Sequence, residues 1–355
     1  MTDVVVTGIG VVSPLGYSAA ELARRVAAGE CAVGGADGVS LGEVPLDAVP
    51  AAARARLGRA DRLCRLFLAA ACQAVDDARL PLPLAAPERV GLSFGTGLGC
   101  LLSDAEFYAK VVAQGAAAAS PRVFAYTVSS AAAGEVSIAL GVHGPNVTSH
   151  VGLAAGAGAI GYAADLLRLG RADVMLAGGA DANGADLARA LRDMGLLKTA
   201  SQARPFVDAA PGVWPSEGAA VLVRERAEHA ARRGAAARAG GGRWAAGFEP
   251  TLTRRQREPR GLTETLRRAA GTAPAPDLVL ASAHGTPLDA LERQALDATG
   301  CADARVVALK AQLGEAFGAS GALAAALAVE QPERRALVSA ICYSGSVVGL
   351  RLERV

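Results

Sequence analysis

Along the chain, short runs of β-branched apolar residues alternate with longer stretches rich in alanine and leucine. The short runs predict buried strands and the longer stretches predict helices, so the pattern indicates an α/β layered fold. The predicted strands cover residues 3–12, 90–94, 146–151, 174–177, 278–282, 306–309, 336–341 and 347–352. The predicted helices cover residues 18–28 behind an N-cap at Ser18, 62–77, 130–141 behind an N-cap at Ser129 or Ser130, 153–169 and 315–329.

Two of these helices, residues 153–169 and 315–329, are almost wholly apolar. A helix that is apolar on all sides is buried on all sides. Each follows a predicted strand, one in each half of the chain, while residues 232–243 are rich in Ala, Gly and Arg and predict an exposed connection. We therefore expect two related halves, residues 1–238 and 239–355, packed as one α-β-α-β-α sandwich of five layers.

Composition narrows the classes of function. A chain of 355 residues, 52% hydrophobic and 20% charged, can bury a large core, and its net charge of +2 gives no reason to expect nucleic acid or a membrane as partner. Six cysteines without CxxC spacing indicate neither a zinc site nor a disulfide framework. Without an apparent signal peptide or an apolar membrane span, we expect a cytoplasmic protein with no metal and no cofactor.

A cluster of basic residues lies beside a glycine-rich stretch and consists of Arg254, Arg255, Arg257 and Arg260. It is consistent with a solvated loop or with a docking patch for an acidic carrier protein.

Ordered motifs over nearly the whole chain resemble those of the β-ketoacyl synthase family. They lie at residues 5–16, 95–99, 131–134, 144–146, 177–181, 205–206, 216–219, 283–286 and 310. The resemblance implies the thiolase fold. It also implies the family's chemistry, in which a cysteine thiolate at a helix N-terminus attacks an acyl thioester. Two histidines then stabilise the enolate and oxyanion that form as a malonyl unit loses carbon dioxide.

Matched motif by motif, the site residues of that family are largely replaced. The nucleophile position falls on Leu153, which can neither ionise nor form a thioester. The first histidine is His284, in a loop two residues shorter than the family's His-Gly-Thr-Gly-Thr-Pro. The second falls on Glu315 at a predicted helix start, and an ionised carboxylate donates no hydrogen bond. Lys310 is retained, whereas the glycine-rich gate is altered around Tyr343.

This pattern resembles the chain length factor, or ketosynthase beta subunit, of type II polyketide synthases. The resemblance implies a non-catalytic chain that forms a heterodimer with a catalytic ketosynthase alpha subunit and works with an acyl carrier protein. That subunit usually has glutamine at the nucleophile position, from which Leu153 departs. It also implies a dimer-interface strand and a tunnel lined by large side chains. The strand residues are Asn146, Val147, Thr148, Ser149, His150 and Val151, and the tunnel or gate candidates are Phe107, Tyr108 and Tyr343.

Several alternatives stay open at this point. The chain could instead be an acyltransferase or malonyl decarboxylase that uses His284, Glu315 or Cys342. Cys342 and Cys100 could each be a relocated nucleophile or a small buried thiol. His284 could be a hydrogen-bonded structural residue, Glu315 could pair with Lys310, and Phe107 and Tyr108 could be simple packing residues.

Overall fold

The computed structural model describes residues 3–33, 44, 60–198, 204–209, 212–250, 258–272 and 274–355. Within these ranges the strands are β1 (Val4–Val12), β2 (Val90–Gly95), β3 (Asn146–Ser149), β4 (Val174–Asp181), β5 (Gly218–Arg226), β6 (Ala239–Phe248), β7 (Leu278–Leu280), β8 (Arg305–Val307), β9 (Arg335–Ile341) and β10 (Ser346–Arg354). The α-helices are α1 (Ala19–Ala27), α2 (Arg62–Asp77), α3 (Leu101–Gln114), α4 (Pro121–Phe124), α5 (Ala131–Leu140), α6 (Ala155–Arg168), α7 (Ala185–Asp193), α8 (Ala227–Arg232), α9 (Arg260–Ala270), α10 (Leu288–Asp297), α11 (Lys310–Leu313) and α12 (Ser320–Glu330).

The strands are hydrogen-bonded in the order β3-β2-β4-β5-β1-β6-β10-β9-β7-β8. The strand order and directions in β1–β5 recur in β6–β10, with β5 and β10 antiparallel to both of their neighbours. Among the described residues, the two groups of strands pair where Val5 lies opposite Gly240 and Val6 opposite Ala239. The strand order thus repeats along the chain, while the division at residue 238 stays a prediction.

Helices α6 and α12 form the central layer. Both contact strands from each of the two groups, so they lie between β1–β5 and β6–β10. Helices α2 and α5 cover the outer side of the first group, and α9 with α10 covers that of the second. Helix, strand, helix, strand and helix layers follow one another, so the predicted five-layered sandwich is confirmed. The two central helices are buried because a group of strands covers each side of them.

Some predicted boundaries were wrong. Helix α12 begins at Ser320 rather than at Glu315, which is held in the preceding loop by the contacts described below. The predicted connection over residues 232–243 is shorter in the structure, because α8 ends at Arg232 and β6 begins at Ala239. Within β6, Gly242 leaves room for a buried arginine: a Cβ on Gly242 would lie 2.0 Å from Arg224 Nη2.

Two further expectations concern local sequence signals. Ser130 occupies the N-cap position of α5 but makes no side-chain capping bond, whereas Ser18 accepts a hydrogen bond from the Glu21 N–H. Of the basic cluster, residues 254, 255 and 257 lie outside the described residues. Arg260 begins α9 and forms an exposed ion pair with Glu258.

Strand β1 packs directly on α2 through its glycines. A Cβ on Gly10 would lie 1.9 Å from the Ala70 carbonyl oxygen. The backbones of β1 and α2 are therefore in direct contact and leave no room for a side chain at this position. Gly134 in α5 is the opposite case, because a Cβ there would meet nothing within 4 Å.

We therefore expect opposite effects from two glycine substitutions. Gly10→Ala should lower the free energy of unfolding by about 1–3 kcal/mol, the usual cost of overpacking a core. Gly134→Ala should raise it by about 0.5–1 kcal/mol, because alanine loses less backbone entropy in a helix. Urea denaturation of the isolated chain measures both, and a neutral Gly10→Ala would contradict the close packing of β1 on α2.

Candidate functional site

Leu153 lies in the 3₁₀ turn Gly152–Ala154, which leads into the N-terminus of α6. The turn needs glycine at 152, where φ is +61° and a Cβ would lie 2.4 Å from Cys342 Sγ. The Leu153 side chain is 8% exposed and packs with Phe317 and Cys342. The position that the sequence motifs assign to the nucleophile thus holds an apolar side chain with apolar partners.

A cavity of about 450 Å³ lies beside Leu153. Its lining combines residues from distant parts of the chain: Leu153, Leu191, Leu196, Gly212, Val213, Thr286, Pro287, Leu288, Glu315, Phe317 and Tyr343. Most of these side chains are apolar, and the volume is in the range of small-molecule sites. The arrangement can hold a hydrophobic group, but leucine at 153 offers it no covalent attachment.

His284 is buried, and both of its ring nitrogens are engaged. Nδ1 lies 3.0 Å from the Ser282 carbonyl oxygen, and Nε2 lies 2.8 Å from the Tyr343 hydroxyl. Burial, with Lys310 nearby, lowers the pKa of His284 to about 4, so the ring is neutral at physiological pH. Because a carbonyl only accepts, Nδ1 carries the proton and Nε2 accepts from Tyr343. His284 therefore has no free donor for an oxyanion.

The shortened loop after His284 is held by Asp289 near the start of α10. The Asp289 carboxylate accepts hydrogen bonds from the N–H groups of His284, Gly285 and Thr286, at 3.3, 2.8 and 3.2 Å. Lys198 Nζ donates to the carbonyls of His284 and Gly285 at 2.9 and 3.0 Å. The backbone N–H and carbonyl groups of this short loop thus have hydrogen-bond partners, and these bonds fix the position of the His284 ring.

Glu315 and Lys310 form a buried ion pair, so the pairing that the sequence suggested is present. Lys310 Nζ lies 2.7 Å from Glu315 Oε2 and also donates to Ser282 Oγ at 3.1 Å. The other oxygen, Oε1, accepts from the Phe317 N–H and from Ser320 Oγ, at 3.0 and 2.8 Å. Each of these bonds uses Glu315 as an acceptor, so the residue is in no position to replace a histidine donor.

Phe317, beside Glu315, has a φ of +49°, a left-handed conformation that costs a non-glycine residue about 1–2 kcal/mol. Two hydrogen bonds hold it there: the Phe317 N–H donates to Glu315, and the Gly318 N–H donates to Asp181. The strained turn places the Phe317 ring in the cavity wall against Leu153.

Asp181, at the end of β4, is a site residue that sequence reasoning found only as part of a motif. Its carboxylate accepts from Thr96 Oγ1 at 2.5 Å and from the N–H groups of Gly97, Leu98 and Gly318 at 2.7, 3.0 and 2.6 Å. Burial raises its pKa to about 6, and these four donors oppose that rise. Asp181 thus ties the glycine loop after β2 to the turn before α12.

The tunnel candidates are separated in the structure. Tyr343 lines the cavity, whereas Phe107 and Tyr108 do not and lie on α3. Phe107 contacts Phe124 with ring centroids 5.5 Å apart, and Tyr108 is 61% exposed. Any tunnel role for these two aromatic residues would need a partner surface over α3.

The predicted interface strand is an edge strand. β3 pairs with β2 on one side, and it ends at Ser149, two residues earlier than predicted. His150 and Val151 follow it and are exposed, so His150 is not a core residue. The outer edge of β3 is the last in the sheet as described.

The two candidate cysteines lie in different surroundings. Cys100 Sγ lies 3.2 Å from Asp104 Oδ2, and burial together with that carboxylate raises the pKa of its thiol. Cys342 is buried against Gly152, and its sulfur accepts a hydrogen bond from Ser344 Oγ at 3.2 Å.

Among the described residues there is no group of three or more His, Cys, Asp or Glu residues arranged to hold a metal ion. Nor is any helix in those ranges long and apolar enough to cross a membrane.

Comparison with known proteins adds to the geometry. Residues 1–230 match the family model of the β-ketoacyl synthase N-terminal domain. The chain is 30% identical to the tetracenomycin polyketide synthase ketoacyl synthase alpha subunit of Streptomyces glaucescens, over 92% of this chain and 84% of that protein. It is 35% identical to nodulation protein E of Rhizobium leguminosarum bv. trifolii, over 65% of this chain and 60% of that protein.

Among solved structures, the ishigamide ketosynthase/chain length factor superposes with a TM-score of 0.85 at 25% identity, covering 100% of this chain and 99% of that one. The fold implied by the sequence motifs is thus confirmed over the whole chain.

The pKa of His284 predicts how stability responds to acid. The folded chain holds a neutral ring down to about pH 4, while the unfolded chain takes up a proton below its ordinary value of 6.5. Unfolding therefore binds a proton between these values, and stability falls as the pH falls from 6.5 to 4. His284→Asn removes this contribution, so the stability of wild type relative to the variant should fall by about 3 kcal/mol across that range.

Denaturant titrations at several pH values measure this difference. The matched control is His150→Asn, at an exposed histidine, which should follow the wild-type profile. Parallel profiles for wild type and His284→Asn would mean that His284 is not buried as a neutral ring.

Proposed function

The chain belongs to the β-ketoacyl synthase family, and from that premise we propose that it is a non-catalytic chain length factor of a type II polyketide synthase. In this role it pairs with a catalytic ketosynthase and shapes the tunnel for the growing chain. The observation that carries the proposal is Leu153 at the nucleophile position, packed against Phe317 and Cys342. A leucine in that place excludes the acyl-enzyme intermediate on which condensation depends.

The surrounding residues support the same role. Decarboxylation and condensation need hydrogen-bond donors aimed at a developing negative charge. His284 Nε2 accepts from Tyr343, and Glu315 accepts from Lys310, Ser320 and the Phe317 N–H. Neither residue has a donor to offer, so the loss extends beyond one substitution.

The outer surface supports a protein partner. Helix α3 packs on α4, and α5 packs on β3. These elements and the turns that follow α4 and β3 carry large apolar side chains that are solvent-exposed in the single chain, and we call them together the partner face. Its exposed residues are Tyr108, Val112, Phe124, Val128, Ile138 and Val151. A patch of this kind beside an open strand edge is typical of a protein interface.

In the proposed heterodimer, a catalytic ketosynthase covers the partner face, and its own edge strand lies beside β3. Phe107 and Tyr108 then border the joint surface, where large side chains would limit the length of the product. An acyl carrier protein delivers the growing chain to the catalytic subunit. A cytoplasmic location and the absence of a cofactor stay predictions.

The partner face can be tested by charge insertion. Ile138 is 81% exposed, so Ile138→Arg should leave the fold intact yet place an unpaired charge in the interface. We expect the affinity for a co-expressed, cysteine-bearing ketosynthase to fall about tenfold or more. Leu169→Arg, at a residue 72% exposed beyond the end of α6, is the matched control and should bind normally.

Size-exclusion chromatography with light scattering, followed by binding titration, measures the complex. A wild-type chain that stays monomeric or forms only self-dimers beside every such ketosynthase would overturn the proposed role.

Restoring the nucleophile alone should not restore condensation. In Leu153→Cys, His284 Nε2 still accepts from Tyr343 and Glu315 still pairs with Lys310. The missing oxyanion and acid–base groups are each commonly worth about 100-fold or more in rate. We therefore expect less than about one-hundredth of the rate of the catalytic partner, assayed with malonyl- and acyl-carrier protein. An active Leu153→Cys synthase would contradict the proposal that the site is dismantled.

The same assay tests the alternative enzyme. The isolated wild-type chain should neither transfer acyl groups nor decarboxylate malonyl-carrier protein. Turnover that is abolished by His284→Ala or by Cys342→Ala would instead establish an acyltransferase or decarboxylase.

A further inference from the structure

We propose that a second cavity, at the far end of α6 from Leu153, binds a phosphate group. The cavity has a volume of about 540 Å³ and lies where β1, β6 and β10 meet. Arg168, the last residue of α6, lines it, and Leu153 precedes the first residue of the same helix. The two cavities are therefore separate sites.

Positive charge dominates this second cavity. Two carboxylates, Asp3 and Glu353, line it together with five arginines: Arg168, Arg243, Arg334, Arg351 and Arg354. Arg224 lies directly beneath, since it donates to the carbonyl of Gly241 in the cavity wall at 3.2 Å. Its other described hydrogen bond goes to the Ile160 carbonyl at 2.9 Å, and the nearby Asp165 carboxylate favours its charged form.

Arg351 is the most deeply buried of these five arginines. Its side chain lines the cavity. Nε donates to Glu353 at 2.9 Å and Nη1 to the Ala270 carbonyl at 2.6 Å. Nη2 has no hydrogen-bond partner within the ranges that the structure describes, and solvent does not reach this atom. Arg351 would therefore attract an anion in the cavity through its charge, without a hydrogen bond from Nη2.

The shape of the cavity fits a compact oxyanion. Gly240, Gly241 and Gly242 line it without side chains, and φ values of +89° and +93° at the last two are open to glycine but strained for other residues. Guanidinium groups pair with the oxygens of phosphate in bidentate geometry, and a phosphate has enough oxygens and charge to meet several arginines at once, unlike chloride. The chemistry thus points to phosphate, either free or as the monoester of a small molecule.

Binding here would join the two groups of strands. Val4 and Val5 belong to the first group, whereas Arg351 and Arg354 belong to the second. In the part of the chain that the structure describes, the sheet connects the two groups through two residue pairs. A ligand held by both sides binds the folded chain and not the unfolded one, so it should raise the melting temperature with concentration.

The test is calorimetric titration of the full chain with inorganic phosphate and, separately, glycerol 3-phosphate, at constant ionic strength set by sodium chloride. We expect saturable binding at one site. Arg243 and Arg334 are exposed at the rim, so the double variant Arg243→Gln with Arg334→Gln should fold. Its phosphate affinity should fall about tenfold or more, since hydrogen bonds to a charged group are lost.

The matched control is Arg122→Gln with Arg192→Gln, which removes the same charge at exposed arginines outside the cavity. It should bind phosphate as wild type does. Tighter binding of glycerol 3-phosphate would identify a phosphate monoester as the ligand, and tighter binding of inorganic phosphate would identify the free ion. No saturable binding by wild type, or equal loss in the rim variant and the control, would overturn the site.

Discussion

The hydrogen bonds of the buried Asp181 carboxylate are the contact on which the rest of the site depends. One side chain at the end of β4 gathers donors from the glycine loop after β2 and from the turn before α12. These segments come from opposite halves of the chain, and the turn carries Phe317 into the cavity wall. In the low dielectric of the core, four charge-assisted bonds to one acceptor hold the backbone firmly. None of these four bonds involves Leu153, His284 or Glu315.

In the proposed role, that separation explains how catalytic residues can be replaced while the fold stays intact. Leu153 packs with Phe317 and Cys342, Glu315 pairs with Lys310, and His284 bonds Tyr343. Each of these side chains is satisfied by a neighbour, although Leu153 and Glu315 also line the cavity. Burying a leucine side chain contributes about 1.5–3 kcal/mol to the free energy of folding. A site with leucine at this position is therefore more stable than one that keeps a reactive polar group there. The site is repacked, and its apolar cavity remains.

The sequence predicted those parts of the structure that depend on local pattern. Periodicity located β1, α2 and the two buried helices within a few residues, and ordered motifs placed Leu153, His284 and Glu315 near one cavity. It misplaced the start of α12, because Glu315 is held by Lys310 and Ser320 through tertiary contacts that outweigh helix preference. It missed β6, because the glycines at its start argue against a strand, whereas Gly242 leaves room there for Arg224. The arginine cavity draws on seven separate segments, a juxtaposition that no linear motif records.

The open edge of β3 has a consequence for how such a subunit is made. An unpaired strand edge flanked by apolar side chains pairs with any strand that reaches it, including that of another unfinished chain. In the proposed role, the partner ketosynthase is therefore also the cap that keeps this chain from aggregating. Supply of the two subunits in equal amounts, close together in time, then becomes a condition for obtaining the folded complex. An orphan copy would be an early target for proteolysis rather than a reserve.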